Sequence, residues 1–336
     1  MTIASAAFAS AAQDDVAAAA AAPARLLELK AFLERSLIGG EALVERLLVA
    51  LLSDGHVLIE GAPGLAKTRA VKLLAEGLDV PLARIQCTPD LMPADLTGTS
   101  VWRPDRGVFE FVAGPIFHSL VLVDEINRAP PKVQSALLEA MAERQATAAG
   151  ITHALPDPFM VAATQNPIEH EGTFPLPEAQ LDRFMLHVEV KSPDAATERA
   201  ILDLVEAEGS EGPPAPARRL SAGEARAARK AAQAVYLSPA VRDYIVRLTS
   251  SLRGTALPQL VRKIEHPPSP RGAIALARGA KARAFLRGRD HATPQDVAEL
   301  AVDTLSHRLI LAWRAIADGA TPRSVVLELL DAVEPL

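Results

Sequence analysis

The chain has 336 residues, 49% of them hydrophobic, a formal net charge of −6 and one cysteine. That length suffices to bury a large core and suggests about two domains, while the negative balance, with no lysine-rich or arginine-rich block, argues against a nucleic-acid motor held by phosphate contacts. The lone Cys87 excludes an intrachain disulfide, and with no metal-binding or catalytic spacing around it, it reads as a small core or loop residue.

Residues Met1 to Ala22 are rich in alanine, but no lysine or arginine precedes them and Asp14-Asp15 interrupts the apolar run. They therefore match neither a secretory signal nor a membrane span, and read as a disordered or weakly helical tail on a cytoplasmic protein. Arg25 to Leu37 and Glu41 to Leu52 have helical apolar spacing and are separated by Gly39-Gly40.

The apolar run Val57-Leu58-Ile59 leads directly into Gly61-Ala62-Pro63-Gly64-Leu65-Ala66-Lys67-Thr68. A glycine-bearing loop between a buried strand and a helix is the geometry of a phosphate cradle. Backbone N–H groups and the helix N-terminus hold triphosphate oxygens, Lys67 neutralises β/γ charge and the Thr68 hydroxyl ligates Mg²⁺. Ala66 occupies the place of the pattern's second glycine, which requires its φ to stay negative.

Leu82 to Gln86 reads as a strand before Cys87, and Val101 and Phe109-Glu110-Phe111 flank the turn formers Pro104-Asp105-Arg106-Gly107 as a hairpin. Leu120-Val121-Leu122-Val123 is a further buried strand that ends in Asp124-Glu125. Adjacent carboxylates at a strand's carboxyl end can divide the labour, Asp124 holding hydrated Mg²⁺ and Glu125 polarising the attacking water, although a lone acidic pair can also be a solvated turn.

A second hairpin, Gln145 to Leu155, surrounds Gly150. The strand Phe159 to Thr164 then carries Gln165-Asn166-Pro167, a neutral amide able to bond both a γ-phosphate and the lytic water. Leu181-Asp182-Arg183-Phe184 follows Phe174-Pro175-Leu176-Pro177, and Arg183 suits a finger offered to a neighbouring subunit's γ-phosphate; the same spacing allows a surface pair with Asp182 or Glu178. His170, between Glu169 and Glu171, lacks the further ligands of a metal site.

Gly209 to Pro216 reads as a linker, and beyond it Ala222 to Val235, Pro239 to Leu252, Ala273 to Leu286 and Pro294 to Ile310 have helical patterns. A helical lid carrying Arg271 could thus close over a nucleotide held by the sheet domain. The expected division is a tail over 1–22, a core over 23–208, a linker over 209–220 and a lid over 221–336.

The segments Glu60 to Thr68, Asp124 to Pro131, Ala163 to Glu169 and Thr173 to Phe184 resemble the MoxR family of AAA+ ATPases, and the likeness runs from about Leu37 to the C-terminal region. The resemblance implies an α/β P-loop domain, a parallel sheet with helices on both faces, followed by an all-helical lid. It makes Ala66 ordinary and assigns sensor 1 to Asn166, an arginine finger to Arg183 and sensor 2 to Arg271 within Ser269-Pro270-Arg271. It also implies ATP and Mg²⁺ as ligands, a homo-oligomeric ring, most simply a hexamer, hairpins that line the pore and touch substrate, and a von Willebrand factor A domain partner presenting a protein client. Two places depart from the family pattern: Gly39-Gly40 lacks the glutamine that often follows, and His266-Pro267-Pro268 precedes sensor 2 where small residues are usual. The leading expectation is ATP-driven remodelling of protein complexes. A nucleic-acid translocase and a nucleotide-gated scaffold without turnover are the alternatives.

Overall fold

Val57–Glu60, Leu120–Asp124 and Met160–Gln165 are apolar with little alternation, the pattern of strands covered on both faces. In the computed structural model, which describes residues 22–148, 150–167 and 172–335, they form the centre of a five-stranded parallel sheet. The order is Leu186–Glu189, Val57–Glu60, Met160–Gln165, Leu120–Asp124, Leu82–Gln86. The register sets Glu60 beside Gln165 and Gln86 beside Asp124, so the loops after these strands converge along one edge of the sheet.

Because side chains alternate across a strand, the sheet feeds two cores. Val57 and Ile59 join Leu47, Leu74, Leu122 and Met160 on one face, while Leu58 joins Val121, Val123, Val161, Leu137 and Phe184 on the other. Leu58 is fully buried, and truncating such a leucine to alanine costs about 2–5 kcal/mol. The first core continues without a break into the C-terminal helices through Leu276 and Leu300. Gly279 permits that approach, since a Cβ there would lie 2.9 Å from Leu300 Cδ1 and 3.3 Å from Met185 Cε.

The C-terminal helices start where side chains satisfy their first N–H groups. Ser221 and Glu224 form a capping box for Ala222–Ala234, Ser238 caps Pro239–Ser251, Ser269 caps Pro270–Leu286, and Thr293 with Asp296 boxes Pro294–Leu305. The helix expected to reach Ile310 stops at Leu305. Ile310–Leu311 leaves it to pair antiparallel with Ile264–His266, a short ribbon within the helical lid.

Two boundaries move. Ala22, expected in the tail, is buried in a helix spanning 22–36, and the rest of the expected tail lies outside the described residues. The helix Ala195–Glu211 runs through Gly209 and Ser210, so the irregular linker begins at Gly212 rather than at 209. Ser210 makes this possible by bonding back to the carbonyls of Glu206 and Ala207 instead of breaking the helix, and the Arg69–Glu208 ion pair ties the last turns to the phosphate-loop helix. The linker then enters Leu220–Ser221, which pairs in parallel with Leu78–Asp79.

Both expected hairpins form, Gly98–Arg103 with Val108–Ala113 and Gln145–Ala148 with Ile151–Ala154. Each is its own two-stranded sheet, outside the hydrogen-bond ladder of the five-stranded sheet. Phe111 of the first stacks on His153 of the second with centroids 4.5 Å apart, while Trp102 and Phe109 pair across the first hairpin and stay exposed.

Candidate nucleotide site and arginine cavity

Gly61 ends the first strand in close contact, its Cβ position only 2.8 Å from the carbonyl of Val190, and Gly64 turns the loop with φ +82°. Ala66 corrects the requirement drawn from sequence. Its φ is +54°, in the left-handed region, and it is the N-cap of the helix Lys67–Gly77. A non-glycine residue there costs on the order of 1–2 kcal/mol, which the surrounding loop must hold in place. Lys67 Nζ donates to the carbonyls of Gly61 and, at 3.1 Å, Ala62, which keeps the ammonium over the loop.

Thr68 Oγ1 donates to Asp124 Oδ1 at 3.0 Å, and Thr164 Oγ1 reaches the same oxygen at 3.2 Å. Asp124 Oδ2 accepts from Arg84 Nε at 2.7 Å. Glu125 has φ +58° and donates its N–H to Thr164 Oγ1 at 3.0 Å; its carboxylate accepts from Gln86 at 3.0 Å and Arg128 at 3.3 Å. The left-handed turn swings Glu125 out of the strand line that Asp124 completes, so two neighbouring carboxylates face different partners. Together the loop Pro63 to Thr68, Arg84, Gln86, Asp124, Glu125, Thr164, Gln165 and Asn166 line a cavity of about 360 Å³.

Arg183 and Arg271 line a different cavity, of about 390 Å³. Arg183 Nη1 donates to the carbonyl of Leu138 at 2.6 Å rather than pairing with Asp182 or Glu178. Arg271 lies 3.4 Å from Asp182, and Arg278, two turns further along the same helix face, makes no hydrogen bond or ion pair among the described residues. Arg271 thus lines the Arg183 cavity and not the phosphate-loop cavity of its own chain. The helix that carries it packs on Glu41–Leu52 and its cap is held by Asp182, which turns the guanidinium to the Arg183 side.

A family model described as "ATPase family associated with various cellular activities (AAA)" matches residues 56–186, and one described as "AAA lid domain" matches 262–329. The chain is 42% identical to "Chaperone MoxR1" of Mycobacterium tuberculosis over 317 residues, covering 93% of this chain and 83% of the relative. It belongs to the MoxR family of AAA ATPases. "Protein MoxR" of Methylorubrum extorquens is 32% identical over 295 residues, 82% of this chain and 85% of the relative. A crystal structure of a putative ATPase from Cytophaga hutchinsonii superposes with a TM-score of 0.86 at 37% identity, covering 98% of this chain and 99% of that one.

Within this MoxR-family chain, the sequence reading missed Arg84, Gln86, Arg128 and Thr164. Arg84 and Gln86 sit two apart on the strand Leu82–Gln86 and Arg128 sits three after Glu125. Period-two and single-turn spacing were the signals that would have found them. The donor set suits magnesium, a hard ion that takes few protein oxygens and keeps water and phosphate ligands. Thr68 and Asp124 offer such oxygens side by side, and among the described residues no group of three His, Cys, Asp or Glu gathers for a metal. Cys87 stays inert, for burial, with the charges of Asp124 and Glu125, pushes its thiol up to about 12. Glu169, His170 and Glu171 lie outside the described residues. Among the described residues no helix is long and apolar enough to cross a membrane.

Proposed function

We propose that the protein is a cytoplasmic, magnesium-dependent ATP hydrolase that forms a homo-oligomeric ring, a hexamer, and remodels protein complexes as a maturation chaperone. The observation that carries this reading is the 3.0 Å contact between Thr68 and Asp124 at the head of a phosphate-loop helix, with Glu125 beside them at the strand end. Family membership and the name of the mycobacterial relative support the chaperone part. The exposed Trp102 and Phe109 hairpin is the surface that would meet a protein client.

In this reading the loop N–H groups and Lys67 hold the β- and γ-phosphates. Thr68 and Asp124 would hold a magnesium ion, which would supply positive charge against the triphosphate. Glu125 accepts the proton of the attacking water, with Gln86 and Arg128 fixing the direction of its carboxylate. Asn166 positions that water. Arg183 and Arg271 serve the nucleotide of the next subunit, which agrees with their place on a cavity separate from the loop of their own chain. The partner that presents the client would be a von Willebrand factor A domain protein, as the family resemblance implies.

Phosphate release from ATP with Mg²⁺ tests the core of the reading, with Lys67→Ala expected to bind no nucleotide. A wild-type protein without ATPase activity, or a Lys67→Ala protein that hydrolyses normally, ends it. Stimulation by DNA or RNA instead of by protein clients would favour the translocase, and a pull-down with ATP-loaded Glu125→Gln would identify the client.

A further inference from the structure

Arg308 lies in the 3-10 turn Ser306–Arg308 that ends the lid helix Pro294–Leu305, and its side chain is almost wholly buried. Its guanidinium donates to the main-chain carbonyls of Asp182 at 3.2 Å, Phe184 at 2.7 Å and Met185 at 3.2 Å, and its Nε donates to Asp182 Oδ1 at 2.8 Å. Arg183 stands inside that grip. The carbonyls on both sides of it are fastened, while its own side chain opens on the cavity.

The same Asp182 carboxylate accepts from Ser269 Oγ at 3.0 and 3.2 Å, and Arg271 Nη1 approaches it at 3.4 Å. Ser269 is the N-cap of the helix Pro270–Leu286, and its Oγ accepts from the Arg271 N–H at 3.2 Å. One carboxylate therefore holds the segment that carries Arg183 and the helix end that carries Arg271. Burial lowers Arg308 only to about 10, with Asp182 opposing the shift, so the guanidinium keeps its charge near neutral pH. Removing either partner would strand the other.

We propose that Asp182, Ser269 and Arg308 are positioning residues that lock Arg183 and Arg271 into one rigid clamp, which meets the phosphates of the neighbouring subunit as a unit. The proposal rests on the reading of Arg183 and Arg271 as acting in trans. Its physical advantage is that backbone and helix-end freedom is removed before the phosphates arrive, so only the two side chains remain to be ordered. It also makes the lid part of the finger: a movement of the helix Pro270–Leu286 must carry Arg183 with it.

Arg308→Lys keeps the charge but loses the forked contacts to Asp182, Phe184 and Met185. It is expected to lower kcat on the order of tenfold to a hundredfold, as for a displacement of about 1 Å, with KM and fluorescent-ADP affinity unchanged within about twofold. Mixed with Lys67→Ala subunits, verified to co-assemble, it should regain turnover, because its intact phosphate loop then meets intact arginines. A residue that merely stabilised its own subunit would show no such rescue. Ser269→Ala carries the same test with a smaller defect and serves if Arg308→Lys does not fold. Arg183→Ala runs beside them as reference. If Arg183→Ala is rescued by mixing while the Ser269 and Arg308 variants have wild-type kcat, or defects that mixing leaves in place, the clamp is overturned. If Arg183→Ala itself is not rescued, the trans reading falls and the clamp with it.

Discussion

In the phosphate-loop cavity the lining side chains come from parallel strands and from the loops and helix that follow them, and its formal charges balance: Lys67 and Arg84 against Asp124 and Glu125. The arginine cavity draws instead on the core and the lid, and sets Arg144, Arg183, Arg271, Arg278 and Arg308 against only Asp54 and Asp182. Arg144 and Arg308 are matched by those aspartates at 2.9 and 2.8 Å, which leaves Arg271 to share Asp182 at 3.4 Å and Arg183 and Arg278 with no carboxylate partner among the described residues. A charge-balanced pocket has no surplus positive charge to offset a triphosphate, and the proposed magnesium would supply it. A pocket with surplus cations needs an anion, and a neighbour's triphosphate is one of the right charge. On the proposed reading, the two cavities would be complementary halves of one site shared between neighbouring subunits of a ring.

The largest effect that sharpens this contrast is expected from Arg183→Ala. Loss of an arginine finger lowers kcat by about 10³–10⁵, and the loss should appear on the subunit that receives the arginine. Steady-state ATPase of rings mixed with Lys67→Ala subunits reads this directly; equal loss in pure and mixed rings would place the arginine in cis and break the comparison.

Glu125→Gln removes the proton acceptor from the balanced cavity and should lower kcat by about 10²–10⁴ while ATP binding persists. Isothermal titration paired with single-turnover hydrolysis separates the two; loss of binding would show that Glu125 holds the nucleotide instead of activating water.

Arg271→Ala should cost about 10–100-fold in turnover, the worth of a charged hydrogen bond of about 1.5–3 kcal/mol. As an exposed side chain it should change folding stability by no more than about 0.5 kcal/mol. A melt shift well beyond that, with normal turnover, would reduce Arg271 to a partner of Asp182.

A further effect is one of pH, and it falls on the arginine cavity. His56 lines that cavity, where its Nδ1 accepts from the Val161 N–H at 3.0 Å and its Nε2 lies 3.3 Å from the Met141 carbonyl, which calls for the neutral ring. Burial, and then the charge of Arg144, lower its pKa to about 3. The unfolded chain takes up a proton near pH 6.5 and the folded chain does not, so this stability is present above about pH 6.5 and falls by up to about 1.4 kcal/mol per pH unit down to about pH 3. Denaturant melts between pH 7 and pH 4 measure the slope, and His56→Asn should flatten it; an unchanged slope in the variant would assign the acid sensitivity elsewhere.

The sequence alone determined the sheet strands, the phosphate loop and the Asp124-Glu125 pair, because each is written in contiguous residues whose period or spacing is itself the physics: unbroken apolar runs for strands buried on both faces, a glycine turn before a lysine, carboxylates at a strand end. It misjudged the backbone of Ala66, whose left-handed φ is imposed by the loop around it and not by its own side chain. Only the tertiary structure decided that Arg84 reaches Asp124, that Arg271 stands with Arg183 instead of over its own phosphate loop, and that Asp182 joins Ser269 to Arg308 across 87 and 126 positions of chain. Such contacts join segments remote in sequence, and their geometry follows from how helices pack on the sheet. No local pattern records that.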